Sequence, residues 1–184
     1  VCLVGSEMCI RDRVQVDAHL DWRDERGGVP EGYSSPMRRA AEMEHIEQLF
    51  QLGLRAQGSA RAREVEAAKD YGANLVTDRE LQARGMQSVL NDIPDGGTYY
   101  LTIDADGMDP AIMPAVAGPA PGGVTYHQML ELIHGLSAKG RFIGMDIVEI
   151  TPKRDLNEIT CITAGQLMQN FIGLQARKKL IKDS

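Results

Sequence analysis

With 184 residues, 43% of them hydrophobic and 25% charged, the chain has the length and composition of one globular domain with a single sizeable core. Its formal net charge of −6 leaves out the basic footprint of a nucleic-acid-binding protein, and no apolar run approaches the roughly 20 residues of a membrane-spanning helix. Cys2, Cys9 and Cys161 form neither a metal-type spacing nor an even disulfide framework, which points to a reducing, cytoplasmic setting.

In chain order, residues 1–13 (VCLVGSEMCIRDR) resemble translated sequencing-adapter read-through and read as a non-native segment. Residues 14–184 then read as the C-terminal part of a single domain whose upstream part is lost. A buried parallel strand ordinarily shows a run of about 4–8 apolar residues. Here only Val14 and Val16 precede the acids, and Arg11, Asp12 and Arg13 cut the run short. A Gly-, Pro- and Ser-rich loop leads to about Pro36, and a helix starts near Met37. Gln48 to Leu54 reads as a strand, Ala60 to Tyr71 as a helix stopped by Gly72, and Asn74 to Val76 as a short strand. Asp78 to about Ile93 reads as one helix capped by Asp78, followed by a turn over 94–97 and a strand from Thr98 to Asp106. Thr125 and Gln128 resemble a capping box that opens a helix ending at Gly140. Arg141 to Ile150 is the last strand and Asn157 to about Lys179 the last helix. Ile159, Ile162, Leu167, Phe171 and Leu174 fall on or near one face of that helix, and Cys161 reads as one of its core residues. Strands alternate with helices throughout, which argues for an α/β fold: a three-layer α/β/α sandwich with a mainly parallel sheet, incomplete at its N-terminus.

Two acidic clusters carry the chemistry. In Asp17-Ala18-His19-Leu20-Asp21, strand alternation puts Asp17, His19 and Asp21 on one face, and in Asp104-Ala105-Asp106 it does the same for the two acids. Each cluster ends a strand and enters a loop, where open α/β sheets bind ligands. Four carboxylates gathered there repel one another unless a metal takes up their charge. Carboxylate with imidazole suits a moderately hard divalent ion such as Mn²⁺. The set exceeds what one ion commonly takes, so two ions fit better.

Three segments then carry a resemblance. DAHLD resembles the D-A-H-x-D signature of the ureohydrolase (arginase/agmatinase) family, DADGMDPAIMP its D-x-D-x-x-D-P signature, and GMDIVEITP its third motif, a strand ending in Glu and Pro. Among members, DAHLDWRDE, GYSSPMRRA and the C-terminal part look most like bacterial agmatinases. The resemblance implies an arginase-like fold and a binuclear manganese hydrolase, with two Mn²⁺ as cofactors and agmatine split to putrescine and urea, a step of polyamine biosynthesis. It implies that Asp17 and Asp104 bridge both ions, that His19 and Asp106 bind one and that Asp21 binds the other. Glu149 is implied to grip the guanidinium, which a carboxylate can do through two parallel hydrogen bonds. Glu149 and Asp21 are thereby the implied catalytic residues, and Glu149 the substrate-binding one. Asp109 is expected to fix its loop and Asp146 to act indirectly, from the opposite strand face to Glu149.

Two departures stand out. The family's upstream G-G-D-H histidine has no counterpart here, and Tyr33 stands in the YSSP stretch where many members carry an H-G-x-P histidine thought to shuttle protons. His45, His127 and His134 fall in helical segments and read as surface or packing residues. The resemblance also implies a cytoplasmic homo-oligomer, a trimer or hexamer, acting on a small guanidino substrate with neither nucleic acid nor membrane as partner. Rival readings are another guanidino substrate such as arginine or guanidinobutyrate, a zinc deacetylase of the same broad fold, and a non-catalytic family subunit. Asp21 and Asp106, in excess of a one-metal site, weigh against the deacetylase.

Overall fold

The computed structural model describes residues 12–182; the proposed non-native segment lies outside them except for its last two residues. Those two belong to the first strand, β1 (Asp12–Val16), where Asp12 and Arg13 pair with Gln48 and Leu49 on one side and with Tyr99 and Tyr100 on the other. The strand therefore starts two residues earlier than its apolar residues suggest. Val14 and Val16 join one hydrophobic core, while Gln15 is buried outside both apolar clusters. Successive strand residues face opposite ways, so a polar residue at every second position leaves a buried strand without a continuous apolar run.

After β1 come α1 (Pro36–Ala41), β2 (Gln48–Leu54), α2 (Ala62–Tyr71), β3 (Asn74–Thr77), α3 (Asp78–Arg84), α4 (Met86–Asp92), β4 (Thr98–Asp104), α5 (Tyr126–Lys139), β5 (Arg141–Val148) and α6 (Ile159–Lys182). Among the described residues the strands form one sheet in the order β3-β2-β1-β4-β5, and every pairing is parallel. Parallel neighbours need crossovers, and the intervening helices provide them on both faces. On one face Val14, Val16, Phe50, Leu52, Leu101 and Ile103 pack against α3 to α6 through Leu81, Val89, Leu132, Leu136 and Leu167. On the other, Leu49 meets Met37 and Ala40 of α1 and Ala68 of α2. The expected three-layer α/β/α sandwich is thus the observed one.

Local details differ where single residues override periodicity. The helix expected over 78–93 is two helices, because Gly85 sits between them at φ 77°. Its N-cap is Thr77, whose hydroxyl accepts the Glu80 N–H at 3.2 Å, and Asp78 is the first helical residue. The stop at Gly72 (φ 90°) and the Thr125/Gln128 capping box are as expected. His45 lies in a turn, while His127 and His134 are exposed on α5. On α6 the buried face runs through Thr160, Thr163, Ala164 and Leu167, with Phe171 and Leu174 packed beside the core. Ile159 and Ile162 are exposed, and so is Cys161. The stripe follows i, i+3, i+4, i+7 from Thr160, whose hydroxyl accepts the Ala115 N–H at 3.0 Å, so the residues flanking Thr160 turn outward.

Candidate metal centre

The carboxyl ends of β1, β4 and β5 converge on a cavity of about 390 Å³ whose walls include His19, Asp21, Asp104, Asp106 and Glu149. β1 and β5 stop one step short of Asp17 and Glu149, and β4 ends on Asp104 itself. β1 ends at Val16, so Asp17, His19 and Asp21 are not on one strand face as alternation suggested. They converge because the Asp17 carboxylate takes the His19 backbone N–H on Oδ1 at 2.6 Å, and because Asp21 adopts φ 51°. β4 likewise ends at Asp104. The Asp104 carboxylate accepts the Asp106 N–H at 2.9 Å and turns the chain into a 3-10 turn over Ala105–Gly107. An acid that captures a backbone N–H two residues on competes with the sheet ladder and ends it.

The turn fits tightly against the first cluster. A Cβ on Gly107 would lie 2.6 Å from the Asp17 backbone nitrogen, so only glycine allows the approach. Asp106 reaches across to accept the Ala18 N–H at 3.3 Å, and its carboxylate lies 3.1 Å from His19 Nδ1. One donor atom each from Asp17, His19 and Asp106 falls within 4.8 Å of the others, a spacing that can hold an ion. Asp21 and Asp104 stand around this trio: the charge of Asp17 acts on both, and Asp106 and Asp21 act on Asp104. Glu149 follows β5 at φ 60°, outside the regular strand, so face alternation does not relate it to Asp146. Asp146 instead accepts the Tyr100 hydroxyl at 2.7 Å and the Thr102 hydroxyl at 3.3 Å. Asp109 Oδ1 accepts the Ala111 N–H at 2.8 Å and fixes its loop, as expected.

The electrostatics are those of anions short of a cation. Burial, then the neighbouring Asp17 charge, pushes Asp21 up to about 8. Burial with the charges of Asp17 and Asp106 pushes Asp104 up to about 9. Burial raises Asp17 to about 6, although the His19 bonds pull the other way. Hydrogen bonds to Asp106 and Asp17 hold the His19 proton up to about 10. Burial also works against the Asp106 charge, but the His19 contact outweighs it and carries Asp106 below the ordinary carboxylate range. An imidazolium stands here as the counter-cation of four acids. A divalent ion supplies more positive charge, displaces protons from such groups and accepts both oxygen and imidazole donors. The residues therefore fit one or two hard-to-intermediate divalent ions, with Asp17, His19 and Asp106 as the best-gathered ligands.

The residue set found by sequence reading is thus brought to one place. What it missed is the frame: Gln15 and Gln51 behind Asp17, Arg55 behind the Asp106 turn, and Arg23, Arg26 and Glu64 on the cavity wall. Gln15 carried a legible signal, a polar residue two before Asp17 in a buried strand. Tyr33, exposed at the cavity mouth, accepts a hydrogen bond from Arg26, whose guanidinium lies 5.3 Å above its ring.

Fold and site together define a class: an α/β protein with a carboxylate–imidazole cluster able to hold a metal at the carboxyl ends of parallel strands. Residues 10–173 match the model of the Arginase family, and the chain belongs to that family. It is 31% identical over 164 residues to a guanidinobutyrase of Pseudomonas aeruginosa, covering 86% of this chain and 51% of that protein. It is 31% identical over 160 residues to an agmatinase of Halalkalibacterium halodurans, covering 86% and 53%. The solved proclavaminate amidino hydrolase of Streptomyces clavuligerus superposes with a TM-score of 0.83 at 25% identity, over 95% of this chain and 59% of that one. The chain spans about half the length of the curated relatives it matches.

Proposed function

We propose that this chain carries the metal and substrate-gripping residues of a manganese-dependent hydrolase that cleaves a guanidino group, releasing urea and an amine. The observation that carries the reading is the meeting of Asp17, His19, Asp21, Asp104, Asp106 and Glu149 at one cavity. In this reading Asp17 and Asp104 would be shared between two Mn²⁺, His19 and Asp106 would hold one of them, and Asp21 would hold the other. When bound, such ions would supply hydroxide at neutral pH by acidifying water. The chain's own residues do the rest. Glu149 accepts two N–H bonds from the planar guanidinium and turns its carbon toward the carboxylate cluster. The carboxylates share the positive charge of substrate and ions, and the buried setting strengthens each of these interactions.

The substrate we propose is agmatine, which the motif segments favour by resemblance. A second reading is a guanidino acid such as guanidinobutyrate, favoured by Arg26 on the cavity wall, because a guanidinium there suits a carboxylate tail better than an ammonium one. Among the described residues no carboxylate lies within ion-pair reach of Arg26, whereas Arg23 stands 3.9 Å from Glu64. A cytoplasmic homo-oligomer completes the proposal, on the family resemblance and the cysteine pattern.

Urea release by the Mn²⁺-loaded chain is the test, across agmatine, arginine, guanidinobutyrate and smaller guanidino compounds. We expect turnover of one of them, abolished by Asp104→Asn. Full activity in Asp104→Asn, or no urea from any compound with ions bound, would sink the reading.

A further inference from the structure

Behind Asp17, on the sheet face away from the larger core, lies a chain of two buried amides. Gln51 Nε2 donates to the Leu20 carbonyl at 2.8 Å and to Gln15 Oε1 at 2.7 Å, and Gln15 Nε2 donates to Asp17 Oδ2 at 2.6 Å. Gln15 is 2% exposed, Gln51 and Asp17 0%. The direction of the chain is forced. A backbone carbonyl only accepts, so Gln51 must turn its NH₂ group to Leu20. The second hydrogen of that group needs an acceptor, which makes the facing atom of Gln15 its oxygen. Gln15 is left with its NH₂ group toward Asp17. One carbonyl therefore orients two amides and aims a donor at one carboxylate oxygen. The same carbonyl belongs to the residue before Asp21, which is held at φ 51°. Gln51 of β2 thus reaches both ends of the 17–21 segment, directly at Leu20 and through Gln15 at Asp17.

We infer that Gln15 and Gln51 are positioning residues for the metal centre: the relay sets the direction of the Asp17 carboxylate, and its branch to Leu20 sets the turn that presents Asp21. The inference rests on the metal reading above. The amides add no charge to a site already crowded with anions, and they occupy one face of Oδ2 without competing as ligands. Hydrogen bonds made to ligating carboxylates from behind commonly contribute 10–100-fold in metal affinity. An apolar pair of similar volume would fill the same space, but it would leave the Leu20 carbonyl and Asp17 Oδ2 without these donors. Yet Gln51 Oε1 is buried with no partner among the described residues. That cost is tolerated where the NH₂ group has a task.

The test is the Mn²⁺ affinity of the chain, read from the paramagnetic-resonance signal of free Mn²⁺, with the metal-free melting temperature as a control for folding. Gln15→Met and Gln51→Met are each expected to weaken Mn²⁺ binding by about 10–100-fold. Because Gln51 acts on Asp17 through Gln15, the double variant is expected to lose less than the product of the two single losses. Gln15→Asn keeps an amide but withdraws it by one methylene, and serves if Gln15→Met does not fold; it is expected to weaken binding in the same direction. Variants that melt lower yet bind Mn²⁺ as tightly as the unaltered chain would overturn the proposal and leave the amides a packing role. Losses that multiply in the double variant would overturn the relay. An unaltered chain that binds no Mn²⁺ would overturn the metal reading itself, and with it the inference.

Discussion

At the residue scale the centre behaves as a proton store when no metal is supplied, and this has a consequence for pH. Asp21 and Asp104 are held up to about 8 and about 9, far above the carboxylate value of 3.8 that an unfolded chain restores, and His19 up to about 10 against 6.5. In each case the folded form binds the proton more tightly than the unfolded one. Stability contributed by these protons is complete at low pH and is lost as pH rises toward the folded values. Asp106 is shifted the other way, so its contribution is lost only as pH falls below the ordinary carboxylate range. The metal-free chain is therefore expected to melt at progressively lower temperature between about pH 5 and about pH 9. Mn²⁺ should reverse the slope, because it displaces the same protons and binds more tightly as they leave. Melting in chelator and in Mn²⁺ across that range checks both; a chelated chain that gains stability with pH contradicts the arrangement of acids. The identities of these residues were legible in the sequence, but the reason they meet was not. Alternation placed them on strand faces, whereas Asp17 and Asp104 turn the chain by capturing N–H groups just beyond each strand.

At the element scale the loops, more than the strands, decide the geometry, and Arg55 ties them together. Its guanidinium donates to the carbonyls of Gly53, Asp106, Gly107, Met108, Ala120 and Pro121, at 2.6 Å to Asp106 and 3.0–3.2 Å to the others. The end of β2, the 3-10 turn and the 114–123 loop are thereby clamped to one planar group. Burial disfavours the Arg55 charge, and the nearby Asp78 and Asp106 compensate it in part. Arg55→Met removes the guanidinium donor from all six carbonyls, of which Gly107 keeps the Val124 N–H. Charge-assisted bonds contribute about 1.5–3 kcal/mol each, so a loss of at least that size is expected in denaturant unfolding, with weaker Mn²⁺ binding alongside. Arg55→Lys should not restore it, since an ammonium cannot span the same fork of acceptors. A lysine variant of unaltered stability would show that the clamp is only charge. Sequence reading found most element ends here because caps and stops are local chemistry: Thr125 with Gln128, and Gly72. It missed the break at Gly85 and the outward turn of Ile159 and Ile162, which depend on what each helix packs against.

At the scale of the whole molecule, the sequence implied a parallel sheet, but the strand order appears only once the crossovers are placed. With β1 between β2 and β4, the first acidic cluster lies beside the second, and Glu149 follows on β5. Ligands for one centre therefore come from segments more than 80 residues apart, Asp17 and Asp104 among them. An ion held there binds the native arrangement and not the unfolded chain, so its binding energy adds to the stability of the entire sheet. A ligand at 100 times its dissociation constant contributes about 2.7 kcal/mol, and chains of this size gain about 2–4 °C per kcal/mol. Saturating Mn²⁺ is therefore expected to raise the melting temperature by about 5–11 °C at neutral pH, by calorimetry. Asp17→Asn should remove most of the rise, because Asp17 belongs to the best-gathered trio with His19 and Asp106 and its charge also reaches Asp21 and Asp104. The decisive comparison is with Asp109→Asn, an acid four residues from the 3-10 turn's first residue that fixes its loop and adds to the charge around Arg55. It should lower the melting temperature in chelator and leave the Mn²⁺-induced rise intact. Equal rises in Asp17→Asn and the unaltered chain would mean that Mn²⁺ stabilises the molecule from somewhere other than the ends of β1 and β4.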